Sequence, residues 1–277
     1  MAWLVPGVCL LLAAAQGPAI DAVFVQVAPV LRSSHELARS AGQTRAVVLI
    51  EGFSIPFSRH GMAQATFHSY QRPNSSLVKT VSQEADVFDF AYGQNLPVAD
   101  IVPRSGLGNH IHALHNLGYR EIVLVGFSAG GLVARQLVED LPDAGVTKVV
   151  QVCSPNGGTG WALVGPDAFA RSLGWKPRQS FLLERWGKRI PEAVQFACIV
   201  ANGLGRGDGV VSIQSQWPPD LQEQGIPAFL LHTEHLLAAR TPAGVKLIAE
   251  LVREELPRWD AARVAIMRKK LHASPMP

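Results

Sequence analysis

The chain is short of several things, and each shortage closes off a class of protein. Only three of its 277 residues are cysteine, namely Cys9, Cys153 and Cys198. They form no Cys-x-x-Cys pair and no Cys/His zinc spacing, so neither a disulfide framework nor a metal site is expected. Charged residues are scarce at 17%, against 48% hydrophobic, and a chain with that much apolar surface can offset its conformational entropy and fold. Charge of one sign is scarcer still. With 25 Lys and Arg against 22 Asp and Glu, the net charge is +3, too even to build a field for a phosphate backbone, and no nucleic-acid partner is expected. No segment reaches about 18 uncharged apolar residues, so no integral membrane segment is expected.

The apolar run Leu4 to Ala15 has the length of a signal-peptide core, with Ala13, Ala14 and Ala15 as small residues for cleavage, although no Lys or Arg precedes it. Residues 1–20 are therefore read as a possible signal peptide or N-terminal segment, with secretion or an extracytoplasmic location expected and a cytoplasmic one as the alternative. Residues 21–277 are long enough for one domain with one large core.

Within that domain, short β-branched apolar runs alternate with glycine-containing punctuation and helical patterns. The expected strands are Ala46 to Ile50, Val87 to Tyr92, Ile122 to Phe127, Lys148 to Cys153, Phe196 to Val200 and Ala228 to Leu231. They are continuous apolar runs, as strands buried on both faces of a mostly parallel sheet require. Helices are expected at about Arg104 to Leu117, Ala129 to Leu141 and Thr241 to Leu256. The fold class is therefore α/β, a doubly wound and mostly parallel sheet, whose chemistry belongs at the C-terminal ends of its strands. The stretch 157–192 breaks the alternation with Trp161, Trp175 and Trp186 and scattered basic residues, and is read as a helical cap insertion. Cys153 and Cys198 fall in strands and read as buried free thiols.

One motif carries chemistry. After the strand IVLVGF come Gly126-Phe127-Ser128-Ala129-Gly130 and then a helical run, which is G-x-S-x-G in the strand-turn-helix context that exposes the serine hydroxyl at a helix N-terminus. A serine nucleophile needs a base, and the base an orienting carboxylate. After FACIV lies a glycine-rich loop, read as exposed, whose single carboxylate is Asp208. After AFLL come His232 and His235. Asp208 is the expected acid and His235 the expected base, because His232 follows its strand directly whereas His235 lies in the loop. Transition-state charge needs two N–H donors. The Ala129 amide is one candidate, and the amide of Phe53, after the strand AVVLI and Glu51-Gly52, is the other. Glu51 itself is read as structural.

Residues from about Arg45 to Leu256 resemble the α/β-hydrolase superfamily, and within it the lipase and carboxylesterase-like enzymes. The resemblance rests on VVLIEGF, VLVGFSAGG, VVQVCSPNGGTG, GRGDGVVS and TEHLL, in the order oxyanion loop, nucleophile, acid, histidine. It implies hydrolysis of a carboxylic ester through an acyl-enzyme, with Ser128, Asp208 and His235 matching the family's triad and no cofactor. The expected partner is a small-molecule or lipid ester, with transient contact to a lipid surface. Where lipases of this group often begin the oxyanion motif with His-Gly, this chain has Glu51-Gly52. A thioesterase or acyltransferase using the same triad, or a non-catalytic binding protein of the same fold, are the alternative readings.

Other clusters carry less. Gly203 to Gly209 is not G-x-G-x-x-G, since its sixth position is Asp208. His110, His112 and His115 do not share one helical face, and Arg268-Lys269-Lys270 reads as a solvated helix end.

Overall fold

A computed structural model of the chain describes residues 19–31, 36–53, 63–160, 181–203 and 205–273. Residues 1–18 of the expected N-terminal segment, and 161–180 in the middle of the expected cap, lie outside the described residues.

Seven strands form one sheet: β1 (Ala22–Ala28), β2 (Arg45–Ile50), β3 (Asp86–Tyr92), β4 (Glu121–Phe127), β5 (Lys148–Val152), β6 (Gln195–Ala201) and β7 (Ala228–Leu231). Their order is β1-β3-β2-β4-β5-β6-β7, with β1 antiparallel to β3 and every other pair parallel. The apolar runs are continuous because both faces of the sheet are covered. Along β2, Ala46, Val48 and Ile50 enter one core cluster with Leu132, Leu137 and Trp217, while Val47 and Leu49 enter the other with Leu77, Val78, Ile248 and Leu251. Each fully buried aliphatic side chain contributes roughly 1.5–3 kcal/mol, and a one-residue slip of a strand would exchange the two faces.

The layers above and below are helical: α1 (Ser76–Val81), α2 (Leu107–Asn116), α3 (Ala129–Asp140), α4 (Pro242–Arg253) and α5 (Ala261–Ala273), with single-turn helices between them. Ser75 caps α1 by accepting from the Val78 N–H, and Thr241 caps α4 by accepting from the Gly244 N–H, with Pro242 at the first helical position. No helix of the described residues is long and apolar enough to cross a membrane.

The structure corrects the sequence reading in three places. β1 was not expected. It is an antiparallel edge strand, only partly buried, and so lacks the continuous apolar run of the central strands. The helix expected over Arg104 to Leu117 is two, Ile101–Ser105 and α2, because Gly106 takes a left-handed φ of 72° between them. The last expected helix stops at Arg253 rather than Leu256, where buried Lys148 donates from Nζ to the carbonyls of Val252 (2.9 Å) and Glu254 (2.6 Å) and satisfies the helix end. Cys153 and Cys198 are buried and free, in clusters on opposite faces of the sheet. His110 stacks on Phe24 at 4.5 Å, while His112 and His115 are exposed.

Candidate active site

The parallel topology brings the ends of β2, β4, β6 and β7 to one edge, and each carries one of the singled-out residues into the loop that follows. Ser128 sits between β4 and α3 with φ 51° and ψ −122°, a conformation that costs a non-glycine residue on the order of 1–3 kcal/mol and persists only where its surroundings enforce it. The enforcement is visible. The Ser128 N–H donates to Val152 O at 2.8 Å. A Cβ on Gly126 would stand 2.5 Å from Gly130 O and Gly131 Cα, and one on Gly130 would collide with the carbonyls of Ile50 and Glu51. Only glycines let the turn close this tightly against its neighbours.

His235, at the start of a short 3-10 turn after β7, has Nε2 2.9 Å from Ser128 Oγ and Nδ1 2.7 Å from Asp208 Oδ2. His232 is exposed. Asp208 departs from its expected setting, since the loop is not open and the residue is 2% exposed. The chain folds back on it, so that its Oδ1 accepts from the N–H groups of Val210 (2.9 Å) and Val211 (2.7 Å), and its carbonyl accepts from the His235 N–H at 2.9 Å. The glycines on either side permit this wrap, and the wrap removes the carboxylate from water.

On the other side of Ser128, Glu51 is fully buried. Burial pushes its carboxyl up to about 8, partly opposed by hydrogen bonds from the Tyr92 N–H and Gln94. Its Oε1 accepts the Tyr92 N–H at 2.7 Å, while Oε2 is buried without a hydrogen-bond partner among the described residues, which suits a structural carboxyl that ties β2 to β3. Phe53 follows Gly52 and, with His68, Leu236 and Arg240, lines a cavity of about 50 Å³ that includes Ser128 and His235. The Ala129 N–H opens α3 and has no hydrogen-bond partner among the described residues.

Two side chains stand near the site that the sequence reading does not place there, His68 and Cys153, the latter read only as a buried thiol. His68 lies with Nε2 3.4 Å from Gly52 O and its ring stacked on Tyr70, and burial lowers its pKa. Cys153, at the end of β5 with φ 56°, places its Sγ within 4.8 Å of Asp208 and His235 ligand atoms. These three groups could be read as metal ligands, but burial and the neighbouring Asp208 push the Cys153 thiol well up, against the thiolate a soft metal needs. The Asp208 oxygens are also already committed to hydrogen bonds. A buried thiol beside a carboxylate describes the geometry better. For Cys153 the signal was available in principle, since it directly follows β5 at the same edge, whereas His68 lies in the long connection between β2 and α1, where no spacing points to it.

No protein-family model matches the chain, and no curated protein is similar to it in sequence. Solved structures are similar in fold. The mature form of a Bacillus licheniformis lipase superposes with a TM-score of 0.57 at 13% identity, covering 77% of this chain and 93% of that one. Aspergillus fumigatus lipase B gives 0.58 at 14% identity over 86% of this chain, which spans 58% of that protein. A Pyrococcus furiosus esterase gives 0.52 at 14% identity, with 79% and 86% covered. Sheet order, one antiparallel edge strand, flanking helices and these likenesses together establish that the chain has the α/β-hydrolase fold.

Proposed function

We propose that the protein is a serine hydrolase of carboxylic esters that works through an acyl-enzyme on Ser128. The observation that carries this reading is the continuous hydrogen-bond chain from Ser128 Oγ through both nitrogens of His235 to Asp208, with the serine held on a strained turn. In this mechanism Ser128 Oγ attacks the ester carbonyl as His235 Nε2 takes its proton. The proton passes from His235 to the departing alkoxide, and the alcohol leaves. Water then repeats the sequence on the acyl-enzyme and releases the acid. Asp208 keeps the Nδ1–H side of the ring fixed and stabilises the imidazolium. The amides of Phe53 and Ala129 receive the oxyanion, aided by the N-terminus of α3.

Leu236 and Leu237, both exposed directly beside His235, favour an apolar acyl ester and contact with a lipid surface. The test is labelling by a fluorophosphonate probe together with turnover of p-nitrophenyl esters from acetate to palmitate. Wild-type protein should label and turn over, and Ser128→Ala should do neither. Turnover retained by Ser128→Ala removes the nucleophile from the proposal.

A further inference from the structure

The peptide unit joining Gly52 to Phe53 is gripped at its carbonyl end. Gly52 O accepts from Nε2 of Gln94, a buried side chain, at 2.9 Å, and His68 Nε2 stands 3.4 Å from the same oxygen. The preceding unit is held as well, since Glu51 O accepts from the Tyr92 hydroxyl at 3.2 Å. This segment lies against the nucleophile, where a Cβ on Gly52 would come 2.9 Å from Phe127 O and 3.0 Å from Ser128 Cβ.

A peptide unit is planar and trans, so its C=O and N–H point in opposite directions. Whatever aims the Gly52 carbonyl therefore also aims the Phe53 N–H. Oxyanion donors act by being held in place before charge develops, and loss of one typically costs about 100- to 1000-fold in rate. A donor free to rotate away would lose part of that benefit. Donation to the carbonyl also polarises the unit and strengthens its N–H as a donor.

We propose that Gln94 is a positioning residue for the oxyanion site: by holding the Gly52 carbonyl, with His68 as the weaker second donor, it keeps the Phe53 N–H aimed at the oxygen that becomes negative when Ser128 attacks. The proposal rests on the serine-hydrolase reading above. It assigns a role to two side chains that touch neither Asp208 nor the Ser128–His235 hydrogen bond. The role also sets what His68 must supply: a proton on Nε2, the nitrogen that faces Gly52 O.

The experiment uses the full chain. Gln94→Leu keeps the volume and removes the donor, and His68→Phe keeps the stack on Tyr70 and removes Nε2. For Gln94→Leu, kcat on p-nitrophenyl butyrate should fall about 10- to 100-fold with KM within about twofold, and the affinity for a trifluoromethyl ketone, which mimics the tetrahedral oxyanion, should fall in parallel. His68→Phe should show the same pattern at about 3- to 10-fold. A folded Gln94→Leu variant with unchanged kcat, or with reduced kcat but undiminished ketone affinity, overturns the proposal. If Gln94→Leu does not fold, His68→Phe decides in the same way, parallel losses supporting the proposal and unchanged values overturning it. Ser128→Ala, assayed beside them, separates the two levels. Turnover by that variant would sink the parent reading, whereas a dead Ser128→Ala beside a fully active Gln94→Leu would sink only the positioning role.

Discussion

Helix α3 carries a polar cluster at each end, and the two are built on opposite rules. At its N-terminus, Ser128, His235 and Asp208 form a single chain of hydrogen bonds beside a small cavity, and the Ala129 N–H has no partner among the described residues. At its C-terminus, Arg135 is clamped by Glu139 (2.7 Å) and Asp220 (2.8 Å), while Arg185 grips Asp140 with both terminal nitrogens at 2.6 and 2.7 Å and Lys188 joins at 2.6 Å. Burial works against the Arg135 charge, yet the adjoining carboxylates more than compensate and hold its pKa above the ordinary value. One end keeps hydrogen-bonding capacity in reserve beside a cavity. The other end spends almost all of it internally, with Asp220 Oδ1 left over. The polarity around Ser128 keeps donors facing the cavity, and the polarity of the Arg135 clamp is almost wholly turned inward.

The largest expected effect breaks the first cluster without disturbing the second. Asp208→Asn should lower kcat by about 1000- to 10,000-fold, because the amide presents the wrong partner to His235 Nδ1, while thermal unfolding shifts by only a few degrees. A steady-state assay alongside a melting curve checks both halves.

The converse substitution, Arg135→Ala, strands Asp220 in the interior and leaves Glu139 only its pairing with Arg185 at 3.2 Å, and should cost about 3–5 kcal/mol in urea unfolding, with kcat per folded molecule changed by less than about threefold. If activity and stability fall together in either variant, the separation between the two ends is false.

Glu51 tests the boundary between the two rules. Its carboxyl lies at about 8 in the folded state against 4.5 for the ordinary value. Between those values the folded protein holds a proton that the unfolded chain has released, so stability falls as pH rises from about 4.5 to 8. Glu51→Gln removes that proton linkage. Its unfolding free energy in urea, relative to wild type, should therefore climb through this window, by an amount on the order of 1–3 kcal/mol at the upper end. Asp89, pushed up in the same direction by burial, contributes its slope to both proteins and cancels in the difference. A flat difference from pH 5 to 8 would place Glu51 outside the titrating set. The smallest effect is expected at exposed His232, where alanine should leave kcat within about twofold and separate it from His235.

Much of this was legible because periodicity and punctuation report local requirements. Continuous apolar runs announce strands covered on both faces, and Gly126 and Gly130 announce a turn with no room for side chains. β1 was harder, since an antiparallel edge strand carries neither signature cleanly. The burial of Asp208 was invisible because it comes from the chain closing back through Val210 and Val211 and from His235, contacts that no spacing encodes. Arg135 looked like any helix arginine, as its partners Asp220 and Arg185 lie 85 and 50 residues away. Gln94 and His68 act on a backbone carbonyl, and a carbonyl leaves no trace in a sequence.

The twelve residues of α3, about 18 Å of rigid rod, have a practical meaning for anyone redesigning this protein. Arg135 and the Ser128 turn share the same shaft, but the turn is fixed by its own contacts, the Val152 carbonyl and the close packing of Gly126 and Gly130, so a change at Arg135 leaves it in place. Arg185 and Lys188 grip the shaft from a separate segment. Edits meant to widen or reshape the surroundings of 181–188 should be made on that side of the clamp, leaving the shaft as the fixed datum from which the rest is measured.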